Sequence, residues 1–430
     1  MKIIHVASEM HPIAKVGGLA DVVYGLSKEL IRMGHQVEVI LPKYDSLLLS
    51  HVKNLHRVKK NLSYTVWKGM VETIPITLLE IEKISLTRIY GEPDDPARFL
   101  AFCEAANSYI EKADVIHLHD WPTSYITTLT KQKTVLTIHN MQHQGLCAAG
   151  IGLPDPLYPD QTNLLRTGIE SATAVTTVSP TYAKEILTTS KGCNLQPYLK
   201  KKGITGILNG IDTEWWDPSI DPNLTTHYPP NTIQAKRENR ETLQQKIKMA
   251  PPKGRLVSAI TRLDPQKGPD LIRAGLHHTL KTGNQFILLG TPSTPAMQKQ
   301  FETLQEEYKD NPNVHFHFKF DHELGHQLYA AADLILIPSI FEPCGLTQML
   351  AMRYGAIPIV RKTGGLADTV TEGKTGFVFE KPEAQELTRA LDRAFTYENW
   401  DGLVKNVLNQ DYSWTASAQE YIKVYQSKLV

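Results

Sequence analysis

Short apolar runs separated by longer amphipathic stretches fill the first half of the chain. Runs of mostly apolar residues occupy positions 3–7, 37–41, 115–118, 135–138 and 174–178. Between them, as in the stretch 20–33, apolar residues recur every three or four positions, and this spacing predicts helices. Short, wholly apolar strands that alternate with helices are typical of a parallel sheet covered on both faces.

The same alternation restarts at residue 256 and continues through the second half. The predicted strands there are "LVSAIT", "QFILLG", "VHFHFKF", "DLILIPS", "IPIV" and "GFVF". Residues 212–253, with "YPPN" and "APPKG", interrupt the pattern. We therefore predict an α/β fold of two doubly wound domains, at 1–211 and 254–398, joined by a connecting region at 212–253. Doubly wound sheets bind ligands at the carboxyl ends of their strands, so we expect the two halves to face one cleft.

Composition narrows the class of protein without pointing to a reaction. The chain has 430 residues, a net charge of +1 and four scattered cysteines with no CxxC pair. A near-neutral charge offers no field for nucleic acid or an anionic membrane. Apolar runs such as 334–337 are far shorter than the roughly 18–20 residues that a membrane span needs. The N-terminus reads as a buried strand, not a targeting peptide, so we expect a soluble intracellular protein with reduced thiols.

One nonamer occurs twice, as "KVGGLADVV" at 15–23 and "KTGGLADTV" at 362–370. Adjacent glycines allow close approach of the backbone, and the amides of a following helix start attract anions. We predict that both copies bind an anionic ligand; the alternative is that the glycines only close a tight turn. The residues expected to face the ligand are Lys15, Gly17, Gly18, Asp21, Gly364 and Gly365.

Two further loops carry charges suited to a nucleotide diphosphate. "TRLDPQKGPD" at 261–270 places Arg262 and Lys267 after a predicted strand, and with Lys15 they offer three cations. The chain has no DxD motif, so cations rather than a metal are expected to neutralise a leaving diphosphate. In "PSIFEPCGLTQ", Glu342 precedes a helix start, and together they can hold sugar hydroxyls and a phosphate. The alternative for Glu342 is a solvated carboxylate at a turn.

Histidines follow two other predicted strands. "HLHDW" at 117–121 and "TIHN" at 137–140 place His119, Asp120 and His139 at the ligand edge, with His117 expected to be buried. We treat Asp120 and His139 as candidates, because a lone histidine is more often structural.

A zinc-binding interpretation competes for one segment. "HELGH" at 322–326 matches H-E-x-x-H, and Glu342 could supply a third ligand, as in a zinc peptidase. Gly325 weakens the helix, however, and Glu342 lies beyond a complete strand in a loop. We therefore predict no metal site there.

Seven ordered motifs resemble the glycogen synthase and starch synthase family: "KVGGLADVV", "HDW", "TIHN", "ILNGID", "TRLDPQKG", "PSIFEPCGLTQ" and "RKTGGLADTV". The likeness runs from Met1 to about Trp414 and is closest to class III and IV soluble starch synthases. It implies a GT-B fold of two Rossmann-like domains facing a central cleft, with residues 399–430 returning to the first domain. It also implies retaining transfer of glucose from ADP-glucose to the non-reducing 4-hydroxyl of an α-1,4-glucan or maltooligosaccharide, without a metal or other cofactor. The expected location is the bacterial cytoplasm, or the plastid stroma for a plant-type enzyme; the oligomeric state stays open.

The resemblance also implies roles for individual residues. Lys15 and the Gly17–Gly18 loop would meet the phosphates and glucose of the donor, and Arg262 and Lys267 would stabilise the departing diphosphate. Glu342 would hold the donor glucose. His139 would lie beside the reacting carbon, with Asp120 beside the sugar. Further substrate contacts would come from Asn209, Phe320 (stacked on the adenine, where many members have tyrosine), Cys344, Gly345, Leu346 and Thr347.

Three points remain open at this stage. Residues 45–110 look shorter than in bacterial glycogen synthases, which leaves acceptor preference undetermined. A related GT-B transferase with a UDP-sugar donor or a small acceptor is one alternative function. A weakly active glucan-binding scaffold is another.

Overall fold

The apolar runs form two separate sheets, one in each of two compact units. The computed structural model describes residues 1–60, 63–81, 88–148, 161–229 and 233–427. One unit comprises Met1–Gly210 and Ser413–Val430, and the other comprises Ile211–Tyr412. Among the described residues, no helix combines the length and the apolar character that crossing a membrane requires.

The first unit is built on eleven strands and seven helices within its described residues up to 210. The strands are β1 (Lys2–Val6), β2 (Gln36–Pro42), β3 (Lys53–Lys60), β4 (Tyr64–Val71), β5 (Ile74–Ile81), β6 (Val115–His119), β7 (Thr134–Ile138), β8 (Leu146–Ala148), β9 (Gln161–Asn163), β10 (Ala174–Thr177) and β11 (Thr205–Gly206). The helices are α1 (Gly18–Arg32), α2 (Asp95–Tyr109), α3 (Trp121–Ser124), α4 (Ile126–Leu129), α5 (Leu164–Ser171), α6 (Pro180–Thr188) and α7 (Gln196–Lys202).

Nine of these strands form one sheet in the order β11-β10-β7-β6-β1-β2-β5-β4-β3. It is parallel except at one edge, where β4 pairs antiparallel with both of its neighbours, β5 and β3. β1 lies between β2 and β6, so the direction in which strands are added reverses there. Ligands of doubly wound sheets bind at such a reversal, beyond the carboxyl ends of the strands. The loops after β1, β6 and β7 therefore occupy the binding edge of this unit.

The second unit contains six strands and eight helices within its described residues. The strands are β12 (Leu256–Leu263), β13 (Gln285–Pro292), β14 (Val314–His317), β15 (Leu334–Ile337), β16 (Ile357–Arg361) and β17 (Phe377–Phe379). The helices are α8 (Ile233–Lys246), α9 (Pro269–Lys281), α10 (Pro295–Glu307), α11 (His322–Ala331), α12 (Thr347–Arg353), α13 (Gly364–Thr369), α14 (Ala384–Phe395) and α15 (Trp400–Leu408). A last helix, α16 (Trp414–Ser427), belongs to the first unit.

The second sheet is wholly parallel, in the order β14-β13-β12-β15-β16-β17. Numbered within the unit, this is the order 3-2-1-4-5-6 of dinucleotide-binding folds. Its reversal point lies between β12 and β15. A nucleotide is therefore expected to bind at the loops that follow these two strands.

The structure corrects the predicted limits of the C-terminal segments. We expected all of 399–430 to return to the first domain, but α15 buries Leu403 and Val407 in the core of the second unit. The return begins at Ser413, and α16 buries Trp414 and Tyr425 in the first unit's core. The predicted connecting region 212–253 also belongs to the second unit, where Leu243 of α8 packs in a common apolar cluster with residues of α11.

Candidate functional site

Three loops of the second unit are joined at the reversal point of its sheet. Ile340 N donates to Gln266 O at 2.7 Å, which links the loop after β15 to the loop after β12. Gln266 Nε2 donates back to Phe341 O at 3.2 Å. Gly365 N, after β16, donates to Glu342 O at 3.2 Å. The predicted segments "TRLDPQKG", "PSIFEPCG" and "KTGGLAD" are thus brought together, around Glu342.

Glu342 is a buried carboxylate that holds a predicted cation. Its Oε2 accepts from Lys267 Nζ at 2.6 Å and from Ser339 Oγ at 2.9 Å. Ser339 was not among the predicted residues; its position three residues before Glu342 in the same loop is the signal that could have found it. The solvated-turn alternative for Glu342 is therefore wrong. Because charge-assisted hydrogen bonds fix geometry, the ammonium of Lys267 is preset at the strand ends.

The other predicted cation of this unit is held differently. Arg262 keeps 58% of its side chain exposed and lies 3.6 Å from Asp264 Oδ2. Asp264 also caps the 3-10 turn at Pro265–Lys267 by accepting from Lys267 N at 3.2 Å. Lys267 is thus fixed, whereas the Arg262 guanidinium can reorient toward a ligand.

A guanidinium that the sequence analysis missed supports the Glu342 loop. Arg361, buried at the end of β16, donates from Nε to Ser339 O at 2.8 Å and also donates to Ile340 O. The signal for it is positional: it stands immediately before the second GG motif, at a strand end. Its role is to fix the backbone that carries Glu342.

The glycines of the second nonamer serve close packing. Gly364 has φ +45°, and a Cβ there would lie 1.8 Å from Glu342 O. A Cβ on Gly365 would lie 2.2 Å from Cys344 O. The Gly365 amide, which we expected to bind an anion, is already used by the carbonyl of Glu342. The tight-turn alternative therefore accounts for this copy.

The remaining predicted residues of this loop precede a short helix. Cys344 is buried, and its carbonyl accepts from Gln348 Nε2 at 3.1 Å. Gly345, with φ +77°, likewise gives its carbonyl to Gln348, at 2.9 Å. Leu346 and Thr347 then begin α12. These four residues line the turn that follows Glu342.

The first nonamer is organised by a residue that the sequence analysis missed. Glu9, buried after β1, accepts from the amides of Val16 and Gly17, the latter at 3.0 Å, and from Tyr90 OH at 2.7 Å. The anion expected at these amides is thus a carboxylate of the protein itself, because a buried carboxylate needs donors. The signal for Glu9 in the sequence is its position, because it is an acidic residue between the first predicted strand and the glycine-containing loop.

The rest of this loop keeps the features expected of a ligand contact. Lys15 Nζ forms an exposed ion pair with Asp21 Oδ1 at 2.7 Å. Gly17 has extended backbone, and a Cβ added there would meet nothing within 4 Å. The space beside Gly17 is therefore open, in contrast to the filled space beside Gly364. Gly18 begins α1.

Asp120 shapes the turn that carries His139. Its Oδ1 accepts from His139 N at 2.6 Å, and its own φ is +58°, a value uncommon outside glycine. Burial raises the pKa of Asp120 to about 7, although the amides of His139 and Asn140 partly offset the increase. The structure thus brings these two predicted residues together, after β6 and β7.

Further imidazoles lie behind His139. His119 Nδ1 is 3.0 Å from His139 Nε2, and His5 Nδ1 is 3.0 Å from His119 Nε2. His117 is buried, as predicted, and contacts Thr137 Oγ1 at 2.6 Å and Tyr425 OH at 2.8 Å. His119, which we expected at the ligand edge, is fully buried instead, since it shares a face of β6 with His117.

Two predicted substrate contacts follow other strands, β11 and β14. Asn209 follows β11; its Oδ1 is buried, with no hydrogen-bond partner in the part of the chain that the structure describes. Phe320 lies between β14 and α11 and is 83% exposed. A phenyl ring so exposed and an unpartnered buried oxygen are both features that a ligand would relieve.

The "HELGH" segment has a structural role. His326 Nδ1 lies 2.6 Å from Asp221 Oδ2, and Tyr354 OH donates to the same oxygen at 2.5 Å. Trp216 stacks on the His326 ring with centroids 4.0 Å apart. Glu342, the third ligand that the zinc-peptidase alternative requires, is paired with Lys267.

Comparison with known proteins gives a consistent set of matches. The model for the starch synthase catalytic domain matches residues 2–201, and that for glycosyl transferases group 1 matches residues 240–405. The glycogen synthase of Protochlamydia amoebophila is 40% identical, with 99% of each chain covered. The probable starch synthase 4 of Arabidopsis thaliana is 39% identical over 98% of this chain and 46% of its own length. The solved catalytic domain of Starch Synthase IV from Arabidopsis thaliana, bound to ADP and acarbose, superposes with a TM-score of 0.94 at 38% identity, covering 100% of this chain and 99% of that one.

Proposed function

Because the chain belongs to the glycogen and starch synthase family of GT-B glycosyltransferases, we propose that it transfers glucose from ADP-glucose to the non-reducing 4-hydroxyl of an α-1,4-glucan and releases ADP. The observation that carries this proposal is the pairing of Lys267 with the buried Glu342 at the reversal point of a 3-2-1-4-5-6 sheet. That is where a nucleotide binds in this class of fold. The solved relative, which contains ADP and acarbose, supports a nucleotide and an oligosaccharide as ligands.

The donor is assigned to the second unit. Lys267, preset by Glu342, and the exposed Arg262 would neutralise the diphosphate, and Phe320 would stack on the adenine. Glu342 would accept hydrogen bonds from glucose hydroxyls, since a carboxylate has lone pairs beyond those that Lys267 and Ser339 use on Oε2. Stabilising the charge that develops on the leaving group lowers the barrier to its departure.

The chemical step proposed is the retaining, front-face substitution that the resemblance to the family implies. The bond between C1 of glucose and the diphosphate oxygen breaks, and positive charge develops on the sugar. The acceptor 4-hydroxyl forms the new bond to C1 on the same face, so the configuration is retained. Its proton passes to an oxygen of the departing ADP. Lys15 and His139 would contact the phosphates and the sugar, and Asp120 would keep His139 in place.

We propose that this reaction needs no metal or other cofactor. Lys15, Arg262 and Lys267 carry the positive charge that a divalent ion supplies in metal-dependent transferases. The location of the enzyme, bacterial cytoplasm or plastid stroma, stays a prediction from the sequence.

The test is glucose transfer from ADP-[14C]glucose and, separately, from UDP-[14C]glucose to maltoheptaose in the presence of EDTA. We expect the label to be incorporated from ADP-glucose and to be released again by an enzyme that hydrolyses non-reducing α-1,4 ends. Lys267→Ala should incorporate far less label. Lys281→Ala, which removes an exposed lysine from the far end of α9, is the matched control and should behave as wild type. Preference for UDP-glucose would move the chain to the alternative transferase function. Absence of transfer from both donors would favour the scaffold alternative.

A further inference from the structure

A row of three buried or half-buried imidazoles ends at His139. We call His5, His119 and His139 the histidine chain; successive rings are joined by nitrogen–nitrogen contacts of 3.0 Å. Burial lowers the pKa of His5 and of His139 to about 3, and burial together with the neighbouring imidazoles lowers that of His119 well below its usual value. All three rings are therefore neutral near pH 7. Each carries one N–H and one lone pair.

Neutral rings in such a row have only two self-consistent proton arrangements. If His139 Nε2 donates to His119, then His119 donates to His5, and His5 keeps its proton on Nε2. If His5 Nδ1 donates instead, every proton shifts to the other nitrogen, His5 Nε2 becomes a bare lone pair, and His139 is protonated on Nδ1. The far ends of the row decide between these arrangements.

His5 Nε2 is the informative end. It is fully buried and has no hydrogen-bond partner among the residues that the structure describes. Among buried backbone groups, orphaned N–H donors are rarer than under-used carbonyl acceptors, and by the same preference we favour the arrangement that leaves a lone pair at this atom. The opposite arrangement would bury an unsatisfied donor.

We propose that the histidine chain is polarised from His5 to His139: His5 Nδ1–H donates to His119 Nε2, and His119 Nδ1–H donates to His139 Nε2. His139 is thereby fixed as its Nδ1–H tautomer. His5 and His119 are positioning residues, and His139 offers the substrate a hydrogen-bond donor rather than a base. This last step rests on the proposed function, because it requires that His139 contacts an oxygen of the sugar or of the phosphates.

A bound metal explains the neighbouring group of His5, His117 and His119 less well than hydrogen bonding does. The ligand nitrogens of His5, His117 and His119 spread over up to 4.8 Å. Two nitrogens bound to one zinc ion at about 2.1 Å each cannot lie more than about 4.2 Å apart. The His117 and His119 rings are also stacked, with an angle of 27° between their planes, so their in-plane lone pairs do not converge.

The decisive measurement is the tautomer of His139. Protein labelled with 15N-histidine is examined by long-range 1H–15N correlation at pH 7.5, and the His139 signals are assigned by their loss in His139→Gln. We expect a protonated Nδ1 and an unprotonated Nε2. A protonated Nε2, or a doubly protonated ring, would overturn the proposal. This result needs no enzymatic activity, so it is independent of the proposed function.

Variants of His119 test the positioning role. His119→Phe removes both nitrogens, so His139 should shift toward the Nε2–H form; kcat should fall about tenfold or more while KM for ADP-glucose changes less than about twofold. His119→Asn keeps an amide N–H near the position of Nδ1 and should restore the tautomer and most of kcat. His117→Phe, in the same stack but outside the chain, is the control for stability and should leave the His139 tautomer unchanged. Equal kcat losses in His119→Phe and His119→Asn, with the tautomer unmoved, would refute the role.

Discussion

The two GG motifs have nearly the same sequence, but the space around Gly364 is filled and the space beside Gly17 is open. Alanine substitution should therefore have different effects at the two positions. At Gly364 an added Cβ lies 1.8 Å from Glu342 O, where distances under 3.0 Å are essentially never seen, so the loops must part by at least about 1.2 Å. Left-handed backbone in a residue with a Cβ costs about 1–2 kcal/mol, and overpacking costs about 1–3 kcal/mol. Gly364→Ala should therefore destabilise the protein by roughly 2–5 kcal/mol.

Gly17→Ala should leave stability within about 0.5 kcal/mol of wild type, because its backbone is extended and the added methyl meets nothing within 4 Å. If substrate occupies that open space, the methyl should cost about 1–3 kcal/mol of binding, a loss of roughly 5- to 150-fold in kcat/KM. The assays are urea unfolding of both variants and initial rates with ADP-glucose. Wild-type stability of Gly364→Ala would refute the packing argument, and wild-type kcat/KM of Gly17→Ala would refute a ligand beside Gly17.

Three further outcomes are expected. Arg262→Ala should lower kcat by a factor on the order of 10²–10³ through lost stabilisation of the leaving group, measured by initial rates beside Lys281→Ala; an unchanged kcat would remove Arg262 from the mechanism. Asp120 has its folded pKa raised to about 7, so the folded state binds more protons than the unfolded state from about pH 4 to 7. Stability from this group therefore declines as pH rises through that window. Urea unfolding across it should show a flatter decline for Asp120→Asn, and an identical slope would contradict the assignment. Phe320→Ala should raise KM for ADP-glucose roughly 5- to 150-fold without changing Tm, because stacking on a base contributes about 1–3 kcal/mol. Phe320→Tyr, the control, should keep the wild-type KM. A wild-type KM in the alanine variant would exclude stacking.

The sequence predicts best where one local signal fixes the structure. Apolar runs bounded by turn residues identify the strands of the second sheet. Lys267 and Glu342, in the loops after two of these strands, lie together because parallel strands end at one edge. The sequence does not show, however, which strands lie next to each other in the sheet. The contact between "KTGGLAD" and Glu342 therefore could not be deduced from either segment alone.

Other features depend on partners that no local pattern reveals. The strand β3 reads "KNLHRVKK", and half of its residues are charged, as is common at the edge of a sheet. The alternation of apolar and polar residues that identifies a strand is therefore weak there. The amides of Val16 and Gly17 could equally donate to a phosphate or to a carboxylate, and only the fold shows that they donate to Glu9. The segment 399–412 is amphipathic in a way that suits either unit; its burial in the second core was decided by packing.

The return of α16 to the first unit has a consequence for synthesis. Trp414 fills the space beside Gly25, where a Cβ would lie 1.9 Å from Trp414 Nε1, and Tyr425 caps His117 behind the histidine chain. About 200 residues, Ile211–Tyr412, are translated between the two parts of this unit. At roughly 5–20 residues per second, the ribosome needs about 10–40 s to make them. During that interval the nascent sheet exposes the apolar face that α16 will cover, so the core of the first unit cannot be completed until α16 has been translated.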